Sequence, residues 1–92
     1  MLTDSEMEFL EEAIENSSII EFDYTKKNGE STHRRKGEPY EIKGGTYLYV
    51  WDLTRDAIRS FLLDGVSDLE VMEDTFSPRF SALELERISA TL

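Results

Sequence analysis

The chain has 92 residues, 39% of them hydrophobic and 33% charged, with a net charge of −10 and no cysteine. This describes one globular domain with a modest core, excludes disulfides and thiolate metal sites, fits a reducing cytoplasm, and argues against general nucleic-acid affinity, which rests on neutralising phosphates. No apolar run approaches the ~20 residues a membrane span needs, and the amino terminus is acidic, unlike a signal peptide.

Thr3-Asp4-Ser5-Glu6 opens a helix over about residues 4–16, with Thr3 and Glu6 spaced as a capping box and early acids suited to the helix dipole. Met7, Leu10, Ala13 and Ile14 recur at helical spacing and form its apolar stripe. A strand follows from Ile19 to Thr25, with Ile20, Phe22 and Tyr24 on one face. Lys26-Lys27-Asn28-Gly29 is a hairpin turn whose Asn-Gly supplies positive φ angles. The returning strand, about Ser31 to Glu38, is almost free of aliphatic residues, which places it at a sheet edge or on a binding surface. Pro39 is expected to break the ladder.

Tyr40 and Ile42 lead to a Gly44-Gly45 turn and then to the stretch around which the chain is organised, Thr46 to Asp52. Tyr47, Tyr49 and Trp51 alternate with Leu48 and Val50, so both faces need cover. A turn in which Asp52 and Asp56 cap backbone amides leads to the strand Ile58–Leu63. Asp64-Gly65 is a further turn, and Val66, Leu69 and Val71 suggest a last short strand. Residues 73–80 are irregular, with Phe76 and Phe80 as anchors, and Ser81-Ala82-Leu83-Glu84 caps a short helix running to the terminus. The order helix, five short strands, helix suits a small α+β, mainly β domain. It is expected to be a five-stranded SH3-like or Sm-like barrel over about residues 19–72, with an anchoring segment over about 73–92.

Charge is unevenly placed. Lys26, Lys27, Arg34, Arg35 and Lys36 cluster against Glu30 alone, so a basic hairpin sits on an acidic body and can focus an anion; the alternative is a solvated hairpin tip. His33 is the sole histidine, and its neighbours are arginines, so an anion-facing role suits it better than metal binding. No nucleophile elbow, phosphate-cradling glycine loop or dinucleotide fingerprint is present. The expectation is therefore a binding module rather than an enzyme, with no metal or cofactor.

These features, in order, resemble the WYL domain of bacterial transcription regulators. Ala13-Ile14 precedes a strand ending in Tyr24; Gly29 marks the hairpin; Arg35 lies four before Pro39-Tyr40; Gly44-Gly45 leads into Tyr47-Leu48 and then Asp52-Leu53-Thr54-Arg55. Arg59-Ser60-Phe61-Leu62-Leu63-Asp64-Gly65-Val66 is similar to the family's Arg-x-Phe-Arg-Leu-Asp-Arg-Ile, and Phe76 matches a later phenylalanine. The resemblance implies an Sm-like barrel, a ligand-sensing role, basic residues that meet nucleic-acid fragments or nucleotide-like anions, and often a dimer. It departs at Thr46, where the name-giving tryptophan would stand, and at Leu62 and Gly65, where the family has arginines.

Arg35, Tyr47 and Arg59 are the candidate ligand residues carried from family positions; Ser31, His33 and Arg34 join them from the local charge pattern. The expected ligand is a short single strand or nucleotide, the expected assembly a homodimer, and the expected partner a larger regulator or nuclease. The competing reading is an acidic interaction protein whose nucleic-acid site has decayed. Arg35→Ala is expected to abolish binding with little change in melting temperature, unless Arg35 turns out to partner a buried carboxylate.

Overall fold

The structure is a computed structural model that describes residues 1–91. Helix α1 (Asp4–Asn16) precedes strands β1 (Ser18–Thr25), β2 (Ser31–Lys43), β3 (Tyr47–Asp52) and β4 (Ala57–Leu62); one turn of 3₁₀ helix (Leu63–Gly65) leads into β5 (Val66–Thr75), and α2 (Ala82–Ser89) ends the fold. The fold is α+β. Both expected capping boxes are formed, Thr3 with Glu6 and Ser81 with Glu84. Helix α2 stops at Ser89, and the end of the expected terminal helix at Leu92 lies outside the described residues.

All five strands form one antiparallel sheet in the order β4-β3-β2-β1-β5. Among the described residues no ladder joins β4 to β5, so strand pairing leaves the sheet open rather than closing the expected barrel. The sheet curls nonetheless. Phe61 of β4 meets Phe22 of β1 edge-on at 5.2 Å and Tyr24 at 4.9 Å.

Strand β2 departs from expectation in two ways. It is central in the sheet, yet its polar half, Ser31 to Gly37, pairs with β1, and its other half, Gly37 to Lys43, pairs with β3. Each half is thus an edge on one side, which is how so polar a strand sits mid-sheet. Pro39 does not break the strand: β1 pairing has ended at Gly37, so no ladder bond is lost on that side, and the irregularity is absorbed as a bulge between Pro39 and Glu41.

The core lies inside the curl. Leu10 and Ala13 of α1 meet Ile20, Phe22, Leu48, Val50, Phe61 and Val66, with Met7 and Ile14 packed alongside. The other face of β3 is covered by the carboxyl-terminal segment: Phe80 packs on Trp51 and Tyr40, Phe76 on Tyr40, and Lys43 Nζ donates to Ser89 Oγ at 3.0 Å. Arg79 stacks on Trp51 at 4.6 Å and binds the buried Glu38 carboxylate at 2.9 Å. Both faces of β3 are therefore covered within one chain.

Candidate functional site

The six residues expected to share one site occupy three places. Ser31, His33 and Arg34 lie on the exposed rim of β2. Ser31 Oγ is 3.0 Å from Thr25 Oγ1 across the hairpin. His33 Nδ1 is 3.4 Å from Asp23 Oδ2. Arg34 adopts a left-handed conformation (φ 53°), which turns its guanidinium across β1 toward β5. There it donates to Glu21 at 3.0 Å, to Glu70 at 3.2 Å and to the Asp68 carbonyl at 3.0 Å. Its backbone N–H donates to Asp23, which is the main reason that carboxyl titrates below the usual aspartate range. Arg34 is thus engaged by carboxylates.

Arg35 and Arg59 do converge, but on a ring. Their guanidinium carbons lie 5.2 and 5.6 Å from the centre of Phe61. Arg35 is occupied as well: Nη1 donates to Asp52 Oδ2 at 2.8 Å and Nε to Thr32 at 2.7 Å. Asp52 is 1% exposed, and its other oxygen accepts from the backbone of Thr54 and Arg55, capping the turn as its sequence suggested. Arg59, half-buried, forms no ion pair among the described residues.

Tyr47 stands apart from both arginines. It pairs across the ladder with Leu62, whereas Arg59 pairs with Val50. Residues one apart alternate faces, so Tyr47 lies on the opposite face of β3 from Val50 and Arg59. It is 43% exposed and lines a groove of ≈ 480 Å³. Thr25, Lys26 and Lys27 at the end of β1 form one wall; Thr46, Tyr47, Leu62, Asp64 and Gly65 form the other. Lys26 makes only a long, exposed contact with Glu30 (3.9 Å), and Lys27 forms no ion pair among the described residues.

Two contacts hold the walls together. Tyr24 Oη accepts the Leu62 N–H at 3.1 Å. Gly65 packs so closely under the hairpin that a Cβ there would lie 2.4 Å from the Thr25 carbonyl oxygen and 2.8 Å from the Tyr24 ring. Leu62 and Gly65, where the resemblance expects arginines, line this groove, and its positive charge comes from Lys26 and Lys27 across the gap. Those lysines counted in the sequence as part of the basic hairpin but not among the candidate ligand residues; the signal available was their position directly before Asn-Gly, at a hairpin tip. The arrangement offers two ammonium groups against the single Asp64 carboxylate, together with threonine hydroxyls and an accessible phenol ring, a set suited to an anion that also carries a flat ring. Among the described residues no group of three His, Asp or Glu side chains could hold a metal ion.

A family model described as the WYL domain matches residues 6–71. The chain is 39% identical over 67 residues to an uncharacterised HTH-type transcriptional regulator, YobV, of Bacillus subtilis, an alignment that covers 70% of this chain and 21% of the regulator. Among solved structures, proteasome accessory factor B/C (PafBC) of Arthrobacter aurescens superposes with a TM-score of 0.65 at 20% identity, over 84% of this chain and 13% of that one. The chain spans under a quarter of the length of either protein.

Proposed function

This chain belongs to the WYL domain family, and from that premise we propose that it is a regulatory, sensor-type binding module, not an enzyme, whose ligand is a short single-stranded nucleic acid or nucleotide-like anion. The observation that carries the reading is the groove between Lys26-Lys27 and Tyr47, where two lysines, held only by the long Lys26–Glu30 contact and facing one carboxylate, Asp64, lie across from an exposed aromatic ring. Arg59, which forms no ion pair among the described residues, lies on the other face of the sheet. We read the sheet as an Sm-like barrel left open between β4 and β5, with Tyr24 bridging part of the gap. The likeness to an HTH-type regulator supports a larger regulator as the partner that receives the signal, in a cytoplasmic setting. A homodimer, if formed, uses the β4 edge, because β5 carries Asp68, Glu70, Glu73 and Asp74, which deter edge pairing.

Titration with short single-stranded DNA and RNA over a salt series tests the ligand reading. The expected result is binding of micromolar order or weaker, with no affinity for duplex, which the acidic body repels. Two lysine–phosphate contacts predict a slope of log affinity against log salt of about −1.4 for a single strand. Lys26→Ala with Lys27→Ala abolishes it.

A second reading, an acidic interaction protein, is favoured by one observation: Arg34, Arg35 and Arg79 are all paired with carboxylates. Wild type that binds no single strand at low salt leaves that reading the better one.

A further inference from the structure

The groove's two walls come from segments far apart in sequence, and their separation is set by one close approach. At Gly65 the hairpin end lies so near that an added methyl group would collide with the Thr25 carbonyl oxygen at 2.4 Å. That oxygen belongs to backbone, so a substitution cannot be absorbed by a rotamer change; the hairpin end itself has to move. Thr25 is immediately followed by Lys26 and Lys27, so any such movement carries the lysine wall away from Tyr47. The Tyr24 hydroxyl is the second tie, holding the same hairpin to the Leu62 N–H.

We propose that Gly65 is the positioning residue of this groove, and that by holding the two lysines at a fixed distance from Tyr47 it makes the groove a site for a single nucleotide; this rests on the ligand reading above. The volume, ≈ 480 Å³, falls in the lower part of the range of small-molecule sites, roughly 300–1,000 Å³, and leaves little room for a second stacked base. A mononucleotide is short and stiff: its base reaches Tyr47 and its phosphate the lysines only if the walls keep their spacing. A longer strand is flexible and can bridge displaced walls with a base from one nucleotide and a phosphate from another. The contact at Gly65 therefore governs ligand length more than charge recognition.

The test compares thymidine 5′-monophosphate with a 5′-phosphorylated thymidine tetranucleotide on wild type, Gly65→Ala and Tyr24→Phe, by calorimetry or NMR shift titration at low salt. Gly65→Ala is expected to weaken the mononucleotide about tenfold while changing the tetranucleotide by about twofold or less, since lost preorganisation penalises the rigid ligand. Tyr24→Phe, which removes the second tie without adding bulk, is expected to change the ratio in the same direction. A mere loss of folded protein scales both affinities equally and leaves the ratio fixed. If Gly65→Ala does not fold, the ratio measured on Tyr24→Phe decides. A ratio unchanged from wild type overturns the positioning role. Wild type that binds neither compound overturns the ligand reading itself, a distinct result.

Discussion

Arg35→Ala tests the most consequential contact on the inner side of the sheet. Asp52 is 1% exposed and takes three donors: Arg35 Nη1 at 2.8 Å and the backbone N–H groups of Thr54 at 2.9 Å and Arg55 at 3.3 Å. Truncating Arg35 leaves a buried carboxylate with backbone donors only and opens space beside Phe61. Removing one partner of a buried pair costs about 3–5 kcal/mol, and the two remaining donors place this case near 3. For a domain of this size each kcal/mol moves the melting temperature by about 4–8 °C, so a fall of roughly 12–24 °C is expected. Thermal unfolding followed by far-ultraviolet circular dichroism at neutral pH reads it directly. A double variant, Arg35→Met with Asp52→Asn, removes both charges and should recover part of the loss. A fall of less than about 3 °C, under one kcal/mol, would refute the argument, as would a double variant no more stable than Arg35→Ala alone.

Other outcomes follow from the same structure. Leu10→Ala removes a fully buried side chain from the centre of the α1 contact and should cost about 2–5 kcal/mol, read in urea unfolding as a shifted midpoint with an unchanged slope. Arg79→Ala strips the cation from the Trp51 face and leaves the buried Glu38 without its partner; the single tryptophan should change its emission and the melting temperature should fall. The Glu6 carboxylate accepts from the backbone of Thr3 and Leu69, which holds its pKa below the usual 4.5. A depressed carboxyl contributes stability above its unfolded pKa and loses it as pH falls through the folded one, so acid should erode stability below about pH 4.5. Glu6→Gln should flatten that acid limb; an unchanged limb would assign the acid sensitivity elsewhere. Sedimentation at tens of micromolar tests the homodimer, and a species of only 10.6 kDa would exclude a stable one.

Much of the fold was legible where short-range chemistry decides it. Thr3 and Ser81 sit three residues before glutamates, and both boxes form. Leu10 and Ala13 lie on one helical face, and both are buried. The alternation from Tyr47 to Trp51 called for cover on both faces, and the core and the Phe80 segment supply it. Illegible features depend on partners distant in sequence. Pro39 looked like a break because nothing local says that β1 has already ended beside it. Arg34 and Asp68 take positive φ values at bulges beside β1, and neither is a glycine that would announce it. For the same reason the family resemblance, which supplied Arg35 and Tyr47, and the charge pattern, which added Arg34, grouped the three in one site, although Glu21 and Asp52 engage the two arginines and Tyr47 faces the other way.

The double cover of β3 bears on where the domain can be cut. The stretch matched by the family model stops at residue 71, but the aromatic cap over Trp51 and Tyr40 is built from Phe76, Arg79 and Phe80, with Leu85 buried behind them. A fragment trimmed to the matched borders would keep β1 to β4, cut β5 after Val71, and present Trp51 and Tyr40 to water as a sticky surface. Such a fragment would associate through that surface whatever the intact chain does, and its oligomeric state would report the excision rather than the protein. Similarity and burial thus draw different borders here, and burial sets the shortest piece that behaves as this domain does.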